Sequence, residues 1–542
     1  MARTIDADTP VSDIDRAAQV WGSTTTDAEY AGHPGIVYEP RPRTFDDLVC
    51  TTGRWSERTY LVQGQRRVSF REFGNARSAA ADFLAARGIG RGDRVLLLAY
   101  NSPEWALALW SLWTIGALPV LGNRWWSAHE IEHAVTVTEP TLIITDIPEL
   151  PESITVQTEP ISGLISCFET ADRPDRGFDS APDEDAPALI LFTSGSSGRP
   201  KAVELSRRSV LSNQQNLLLR SRRLPQDLPT EAQPGSTLLC TPLFHIGGVS
   251  NLLTQFICGG KIVLNEGRFD AGQVLRLIEE EKVQSWGGVP TMASRVLEHP
   301  DFDRHDLSSL RSWPLGGAPL PQGLLERMQN RLPQLRTRGL GNTWGMTESG
   351  GFLTVAGNRD LEKYPGTVGR PYNVVELRIS EPDRDGIGEI LVRSPTIMLR
   401  YIGVDDGTID DRGWLHTGDL GHINNDGYLF IDGRSKDIVI RGGENIACAH
   451  VEAALSVHPD IVEVAVVGLP HPDLGEELAA VVVHRVGTPA PDPEDLRSML
   501  SGTLAYFEIP TRWDIRHEPL PTLAGEKTDK KALVTTFPTV DQ

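Results

Sequence analysis

The sequence is poor in cysteine. Five cysteines occur in 542 residues, and none has the paired spacing of a disulfide framework or a structural zinc site. They stand at Cys50, Cys167, Cys240, Cys258 and Cys448. We therefore expect reduced, mostly packed thiols and a cytoplasmic setting.

Basic residues are also in deficit. Lysine and arginine total 52 against 73 aspartates and glutamates, which gives a net charge of −21 and a pI near 5.1. A surface of this sign disfavours nucleic acid as a partner. An anionic substrate would be repelled at long range, so its site must gather its own lysines and arginines.

The sequence shows no secretory signal and no clear membrane segment. Residues Met1 to Asp15 are polar and acidic, without the basic start and apolar core of a signal peptide. The longest charge-free stretch, Trp105 to Asn123, contains polar residues, a glycine and Pro119. This composition predicts a buried helix followed by a strand and no transmembrane span.

Helical and strand patterns alternate along most of the chain. Apolar spacing predicts a helix at Phe70–Arg87, a strand at Arg94–Ala99 and a helix at Glu104–Ile115. This order predicts an α/β fold, with parallel sheets covered by helices in a large domain of residues 1–435. Short strands and turns predict a β-rich subdomain at about 374–433, and an α+β pattern predicts a small C-terminal domain at 436–542.

A loop rich in hydroxyls and glycines follows an apolar strand and ends at Lys201. Glycines let backbone N–H groups turn towards oxyanions, hydroxyls add donors, and the lysine adds a mobile positive charge. The loop comprises Thr193, Ser194, Gly195, Ser196, Ser197 and Gly198 before Arg199 and Pro200. It predicts a polyphosphate site, although such a loop can also be a plain flexible turn. Pro200 and Ala202 around the lysine disfavour a Walker P-loop.

Further segments near predicted strand ends have residue types that suit a nucleotide. Two glycines at 315–320 allow close backbone approach to a flat base. Segment 341–348 offers an indole for stacking, Thr347 for a phosphate oxygen and Glu348 as an oxygen ligand for Mg²⁺. A carboxylate at Asp419 and the segment 433–437 could contact ribose hydroxyls.

In this order and spacing, the segments closely resemble the adenylate-forming superfamily of acyl-CoA synthetases, adenylation domains and luciferases. The resemblance covers about residues 45–535 and is greatest to bacterial fatty-acyl-CoA-ligase-like members. Four further motifs carry it: Asn123–Trp126, Pro242–Gly248, Gly366–Pro371 and Arg441–Ile446. The resemblance implies an ATP-dependent, AMP-forming acid–thiol ligase. A small-molecule acid would first form an acyl-adenylate with release of pyrophosphate, and CoA would then displace AMP.

The resemblance also implies roles for particular residues. Lys527 would bridge the carboxylate and the α-phosphate, Glu348 would bind Mg²⁺, and His245 would line the acid pocket, where a packed core histidine is the alternative. The C-terminal domain would be mobile and hinged at Lys436. The remaining ATP-binding positions are Thr193 to Gly198, Lys201, Gly317, Ala318, Pro319, Asn342, Thr343, Trp344, Gly345, Met346, Thr347, Asp419 and Arg434.

Three positions depart from the family pattern. Arg207 stands where many relatives have histidine, Arg400 where glycine is usual, and Glu526 where glycine normally precedes the lysine. At a position that tolerates positive φ, arginine requires a different backbone or a stabilising contact. Altered acid or acceptor handling is one consequence that we consider.

The acid and the acceptor stay open at this point. Substrate size is expected to depend on residues around His245–Leu252 and Gly287–Met292. The acceptor could instead be a carrier-protein thiol or an amine, including nitrite activation for diazotisation. A nucleotide-binding scaffold with a decayed site is a third hypothesis, disfavoured by the intact site residues. The sequence does not indicate an oligomeric state.

Overall fold

A computed structural model describes residues 13–170, 173, 176–178, 183–193, 200–229, 231, 233–404, 407–434, 437–523 and 526–537. Its helices are α1 (Asp13–Val20), α2 (Phe45–Val49), α3 (Phe70–Ala85), α4 (Pro103–Thr114), α5 (Ala128–Thr138), α6 (Arg207–Ser221), α7 (Ile246–Ile257), α8 (Ala271–Glu281), α9 (Pro290–Leu297), α10 (Gln322–Arg331), α11 (Asn358–Lys363), α12 (Cys448–Leu455), α13 (Pro493–Ser501) and α14 (Lys530–Val534).

The strands up to residue 371 are β1 (Thr24–Tyr30), β2 (His33–Glu39), β3 (Thr59–Gln63), β4 (Arg66–Ser69), β5 (Arg94–Leu98), β6 (Leu118–Leu121), β7 (Leu142–Thr145), β8 (Gln157–Pro160), β9 (Pro187–Thr193), β10 (Lys201–Ser206), β11 (Ser236–Leu239), β12 (Lys261–Leu264), β13 (Ser285–Trp286), β14 (Trp313–Gly316), β15 (Leu340–Met346), β16 (Gly351–Gly357) and β17 (Arg370–Pro371). The later strands are β18 (Glu376–Ser380), β19 (Gly388–Arg393), β20 (Arg400–Tyr401), β21 (Leu415–Ile423), β22 (Leu429–Arg434), β23 (Ile438–Arg441), β24 (Glu444–Ala447), β25 (Ile461–His471), β26 (Gly475–His484) and β27 (Arg512–Arg516).

Two largely parallel sheets form the body of the larger part of the chain. One has the strand order β20-β10-β9-β6-β5-β7-β8 and the other the order β13-β11-β12-β3-β4. In the first, β9 to β8 run parallel, whereas β10 and β20 are antiparallel at one edge. The predicted α/β class is confirmed. The antiparallel edge has a simple local cause: only the short segment 194–200 joins β9 to β10, and a parallel crossover needs a longer connection.

The charge-free stretch forms α4 and β6, as predicted. All twelve residues of α4 are buried, and the helix contacts β3 of one large sheet and β5 and β6 of the other. A helix that is apolar on every side is stable only when it is covered all round, and the two sheets together with α3 supply that cover. Among the described residues, no helix is long and apolar enough to cross a membrane.

Two smaller sheets carry residues of interest for the site. Strands β14-β15-β16-β17 form one sheet, and β18-β19-β21-β22 form an antiparallel sheet within residues 376–434, where the sequence predicts a β-rich subdomain. One strand of that region, β20, instead pairs with β10 of the large sheet. This pairing joins the predicted subdomain to the strand that begins at Lys201.

The C-terminal part has a sheet of its own, with strand order β24-β23-β26-β25 and β27 on β26. Apolar side chains cover both of its faces: one face packs on α12 and α13, the other on Leu520, Leu533 and Phe537. Because these clusters are separate from the cores of the larger part, each part buries its own apolar surface.

Candidate active site

The glycines after β14 allow the backbone to approach β15 closely. Strand β14 is parallel to β15, and a β-carbon on Gly316 would lie 2.2 Å from the Thr343 Oγ1 atom. Gly317 has a φ of +75°, a left-handed conformation in which glycine is least strained. The turn therefore requires glycine, and it leads directly to Ala318 and Pro319.

Trp344 and Asp419 come together from two different sheets. The indole N–H of Trp344 donates a hydrogen bond of 2.8 Å to Asp419 Oδ2. Both residues are buried, with 7% of Trp344 and 4% of Asp419 exposed. The indole thus has a definite structural role in holding the carboxylate. Its predicted stacking on adenine stays a prediction, because most of the ring is covered by protein.

Arg434 holds the other oxygen of the same carboxylate. Asp419 and Arg434 face each other across β21 and β22, and Arg434 Nε lies 2.8 Å from Asp419 Oδ1. Partial burial opposes the guanidinium charge, but the attraction and hydrogen bond of Asp419 outweigh it and raise the pKa of Arg434. The Arg434 side chain stays 60% exposed, so it borders open space.

Glu348 is linked to Lys201 through Tyr401. The Tyr401 hydroxyl donates a hydrogen bond of 2.7 Å to Glu348 Oε1, and Lys201 Nζ lies 4.4 Å from the centroid of the Tyr401 ring. Lys201 pairs with Thr193 across β9 and β10, so the two described ends of the predicted phosphate loop are adjacent. Ser194 to Gly198 lie outside the described residues. Sequence reasoning missed Tyr401, whose partner Glu348 is 53 positions away.

The other predicted residues of β15 mostly support the local backbone. The buried Asn342 side chain donates to the Thr367 carbonyl at 3.1 Å, and the Thr343 hydroxyl donates to the Leu315 carbonyl at 3.3 Å. A β-carbon on Gly345 would lie 2.1 Å from the Gly351 carbonyl oxygen. The Met346 N–H donates to Ser349 Oγ at 3.0 Å, and the Thr347 carbonyl accepts from the Gly350 N–H at 3.0 Å. The last two bonds fix the turn that presents Glu348.

Lys527 enters this region from the C-terminal part of the chain. A β-carbon on Gly317 would lie 3.5 Å from Lys527 Cε and 3.7 Å from Nζ. The surrounding protein removes water from the ammonium group and Arg434 repels it, so the pKa of Lys527 is lowered, although Asp419 and Glu348 act in the opposite direction. Part of the Lys527 side chain is nevertheless exposed to solvent. The predicted hinge, Lys436, lies outside the described residues.

His245 lies at the start of α7, half-buried, with its ring centroid 4.6 Å from that of Phe244. Gly247, two residues on, faces the Phe352 ring, because a β-carbon there would lie 3.9 Å from Phe352 Cζ. A half-buried ring is compatible with either role, so the gating role of His245 and the packed alternative both stay predictions.

The residues present fit a magnesium ion that is held mainly by its nucleotide. Within the described residues, no group of three or more histidine, cysteine, aspartate and glutamate side chains could form a metal cage. Mg²⁺ usually takes one or two carboxylates together with phosphate oxygens and water. Glu348, 9% exposed at the turn that follows β15, suits that arrangement.

Two of the three departures have structural explanations. Arg400 is in a β-strand instead of a left-handed turn, and its Nε lies 2.9 Å from Oε2 of the buried Glu204. Arg207 is buried at the start of α6, with its guanidinium 5.9 Å from the Phe45 ring centroid. Both side chains therefore support the fold.

Comparison with known proteins assigns the family. The family described as "AMP-binding enzyme" matches residues 51–402, and "AMP-binding enzyme C-terminal domain" matches residues 450–522. The chain belongs to the AMP-binding enzyme family. Its fold and its relatives agree that it is an AMP-forming ligase of the adenylate-forming superfamily.

Individual relatives extend along most of the chain. A feruloyl-CoA synthase from Amycolatopsis sp is 31% identical, over 86% of this chain and 94% of the relative. An indoleacetate–CoA ligase from Aromatoleum aromaticum is 30% identical, over 87% and 94%. The solved o-succinylbenzoate CoA synthetase from Bacillus subtilis, in complex with the acyl-adenylate OSB-AMP, has a TM-score of 0.74 and 27% identity over 90% of this chain and 97% of that one. The same enzyme has been solved with ATP and magnesium ion.

The link between Tyr401 and Glu348 is testable by stability. Tyr401→Phe keeps the ring beside Lys201 but removes the donor to a buried carboxylate, so we expect the free energy of unfolding to fall by about 1–2 kcal/mol. Urea unfolding followed by tryptophan fluorescence measures the change.

Tyr428→Phe is the matched control, because the Tyr428 hydroxyl also donates to a carboxylate, Asp360, at 2.8 Å. The Asp360 side chain is 24% exposed, so water can replace the lost bond and we expect a change within about 0.5 kcal/mol. Equal effects of the two substitutions would contradict the structural importance of the Tyr401 bond.

Proposed function

We propose that this protein activates a small-molecule acid with ATP and transfers the acyl group to CoA. The proposal rests on one observation. Lys527 of the C-terminal part lies beside Gly317, and its ammonium group interacts electrostatically with Asp419, Arg434 and Glu348. A lysine near the glycine turn at Gly317 and the carboxylate of Asp419 is suited to stabilise negative charge at the α-phosphate of a bound nucleotide.

In the first half-reaction the protein positions two anions against each other. Asp419 and Arg434 would hold the ribose, residues 317–319 and Trp344 the adenine, and the 193–201 loop the outer phosphates. Lys527 would bridge the acid carboxylate and the α-phosphate, which lowers their repulsion. The carboxylate oxygen then forms the new bond to phosphorus, and pyrophosphate leaves with the electron pair of the broken P–O bond. Glu348 would hold Mg²⁺, which when bound neutralises phosphate charge.

In the second half-reaction the CoA thiol, after losing its proton, attacks the acyl carbon. The thioester C–S bond forms, and AMP leaves as the C–O bond to phosphate breaks. The bridging cation has no comparable role in this step. We therefore propose that the C-terminal domain, hinged near Lys436, moves Lys527 away between the two half-reactions.

The choice of CoA rests on the relatives, whose names include feruloyl-CoA synthase and indoleacetate–CoA ligase. A carrier-protein thiol or an amine acceptor would use the same adenylate. The first half-reaction is therefore tested separately from the acceptor.

A pyrophosphate-release screen tests the function. Purified protein with ATP and Mg²⁺ is offered aryl acids, short and long fatty acids, and nitrite, each with and without CoA, and the products are identified by mass spectrometry. We expect AMP, pyrophosphate and a CoA thioester from at least one acid. Pyrophosphate without thioester would indicate another acceptor, and no pyrophosphate from any acid would indicate a nucleotide-binding scaffold.

The role of Lys527 separates the two half-reactions. In Lys527→Ala we expect pyrophosphate release to fall at least about 100-fold, because the charge stabilisation of the first step is lost. Thiolysis of a preformed acyl-adenylate should stay within about twofold of the wild-type rate, since this step does not use the cation. Rapid-quench measurement of each half-reaction checks this, and unchanged adenylation would exclude Lys527 as the bridging group.

The lowered pKa of Lys527 predicts a pH dependence. The side chain carries its charge only below its pKa, so kcat/KM for adenylation should fall as pH rises, with a midpoint below the ordinary lysine value of about 10.4. Lys527→Arg keeps its charge at these pH values and should lose this alkaline limb, whatever its absolute rate. An identical limb in both proteins would assign it to another group.

A further inference from the structure

The residue before Lys527 is tied to the larger part of the chain. Arg295 on α9 forms an ion pair with Glu526, through Nη1 and Oε2. The Arg295 and Glu526 side chains are 25% and 20% exposed. The pair is thus largely shielded from water, which makes it stronger than a typical surface ion pair.

Arg295 contacts two further groups of the C-terminal part. Its Nε lies 3.4 Å from Glu463 Oε1 on β25, and its Nη2 donates to the Leu520 carbonyl at 3.2 Å. Glu463 in turn accepts a hydrogen bond of 2.9 Å from the Leu520 N–H. One guanidinium therefore joins α9 to both the strand and the segment that leads to Lys527.

Glu526 also fixes the turn that presents Lys527. The Glu526 N–H donates to the Leu523 carbonyl at 3.0 Å, and the Leu523 N–H donates to the Lys527 carbonyl at 2.7 Å. The carboxylate of Glu526 accepts a hydrogen bond of 3.3 Å from Thr522 Oγ1. With a φ of +60°, Glu526 has the left-handed conformation that glycine adopts more easily. Such backbone strain persists where the surrounding contacts compensate for it, and the Arg295 ion pair is such a contact.

Three further polar contacts join α9 and α10 to the C-terminal part. Ser294 Oγ donates to the Val462 carbonyl at 3.1 Å, Arg327 Nη1 donates to the Ile461 carbonyl at 3.3 Å, and Arg485 pairs with Glu298. Because both sides can form equivalent bonds with water, such a surface can open at modest cost. Interactions of this kind can bias a domain equilibrium without locking it.

We propose that Glu526 and Arg295 are positioning residues for adenylation, whose ion pair holds Lys527 in the site and favours the arrangement of domains described above. This inference rests on the proposed function. When the C-terminal domain moves for the second half-reaction, Glu526 leaves Arg295, so the pair stabilises only the first arrangement. Loss of the pair should therefore slow adenylation and leave thiolysis unaffected.

Two substitutions test the pair without forcing the backbone. Glu526→Asn is neutral, too short to reach Arg295, and tolerates a left-handed φ. Arg295→Met keeps an apolar stem on α9 but removes the guanidinium. The matched control is Arg485→Gln, which breaks another ion pair between the same two parts of the chain, with Glu298, away from the Lys527 turn.

The first measurement needs no substrate. Hydrogen exchange of peptides that cover residues 520–529 reports how well the turn is held, and we expect exchange to be about 5- to 10-fold faster in Glu526→Asn and in Arg295→Met. We expect Arg485→Gln to match the wild type in these peptides. Unchanged exchange in both test variants would overturn the proposal.

The second measurement follows the two half-reactions separately. We expect adenylation to slow by about 5- to 10-fold in each test variant, and thiolysis of preformed adenylate to stay within about twofold. The double variant should be no slower than Arg295→Met, because the two residues act through one contact. Arg295→Lys, which can restore one ion pair, should recover part of the rate.

Equal losses in both half-reactions, or the same losses in Arg485→Gln, would show a merely structural role and overturn the proposal. If the wild-type protein released no pyrophosphate with any acid, the proposed function would fail. The hydrogen-exchange result would still decide whether the ion pair holds the turn.

Discussion

The site depends on one buried carboxylate that is held from two directions. Asp419 on β21 accepts hydrogen bonds from Trp344 on β15 and from Arg434 on β22. Its position joins the sheet that ends in the glycine turn to the antiparallel sheet that precedes the C-terminal part. Burying a carboxyl group to 4% exposure is costly unless both oxygens have hydrogen-bond donors, so the two sheets must meet at these residues.

Positively charged side chains are concentrated around that carboxylate, although the chain as a whole is strongly acidic. The chain carries a net charge of −21, yet Arg434 lies near Lys527, and Tyr401 links Lys201 to the neighbouring Glu348. Lys201 lies against the Tyr401 ring, and Arg434 pairs with Asp419 across β21 and β22. Lys527 is carried by a turn of the C-terminal part of the chain. Nearby cations matter more to a bound anion than the net charge of the chain, because salt largely screens exposed charges that lie more than about 10 Å away.

The separation of the apolar cores is consistent with our proposal that a mobile C-terminal domain delivers and withdraws Lys527. Each part of the chain buries its own hydrophobic surface, so the contact between them consists largely of ion pairs and hydrogen bonds. Such a contact contributes modest net stability in water, and it also specifies the geometry in which the two parts meet. A cation needed in one half-reaction and not in the other suits this kind of interface.

The sequence by itself determined the α/β class, the buried character of α4, the family and the order of the site motifs, because apolar periodicity and short motifs are local properties. It also singled out Arg400 and Glu526 as unusual. Only the tertiary structure decided what those residues contact. Glu204 lies 196 positions from Arg400, Arg295 lies 231 positions from Glu526, and Tyr401 reaches Glu348 from another strand. Their partners follow from how strands that are far apart in the sequence, and two parts of the chain, meet in the fold, and no local pattern carries that information.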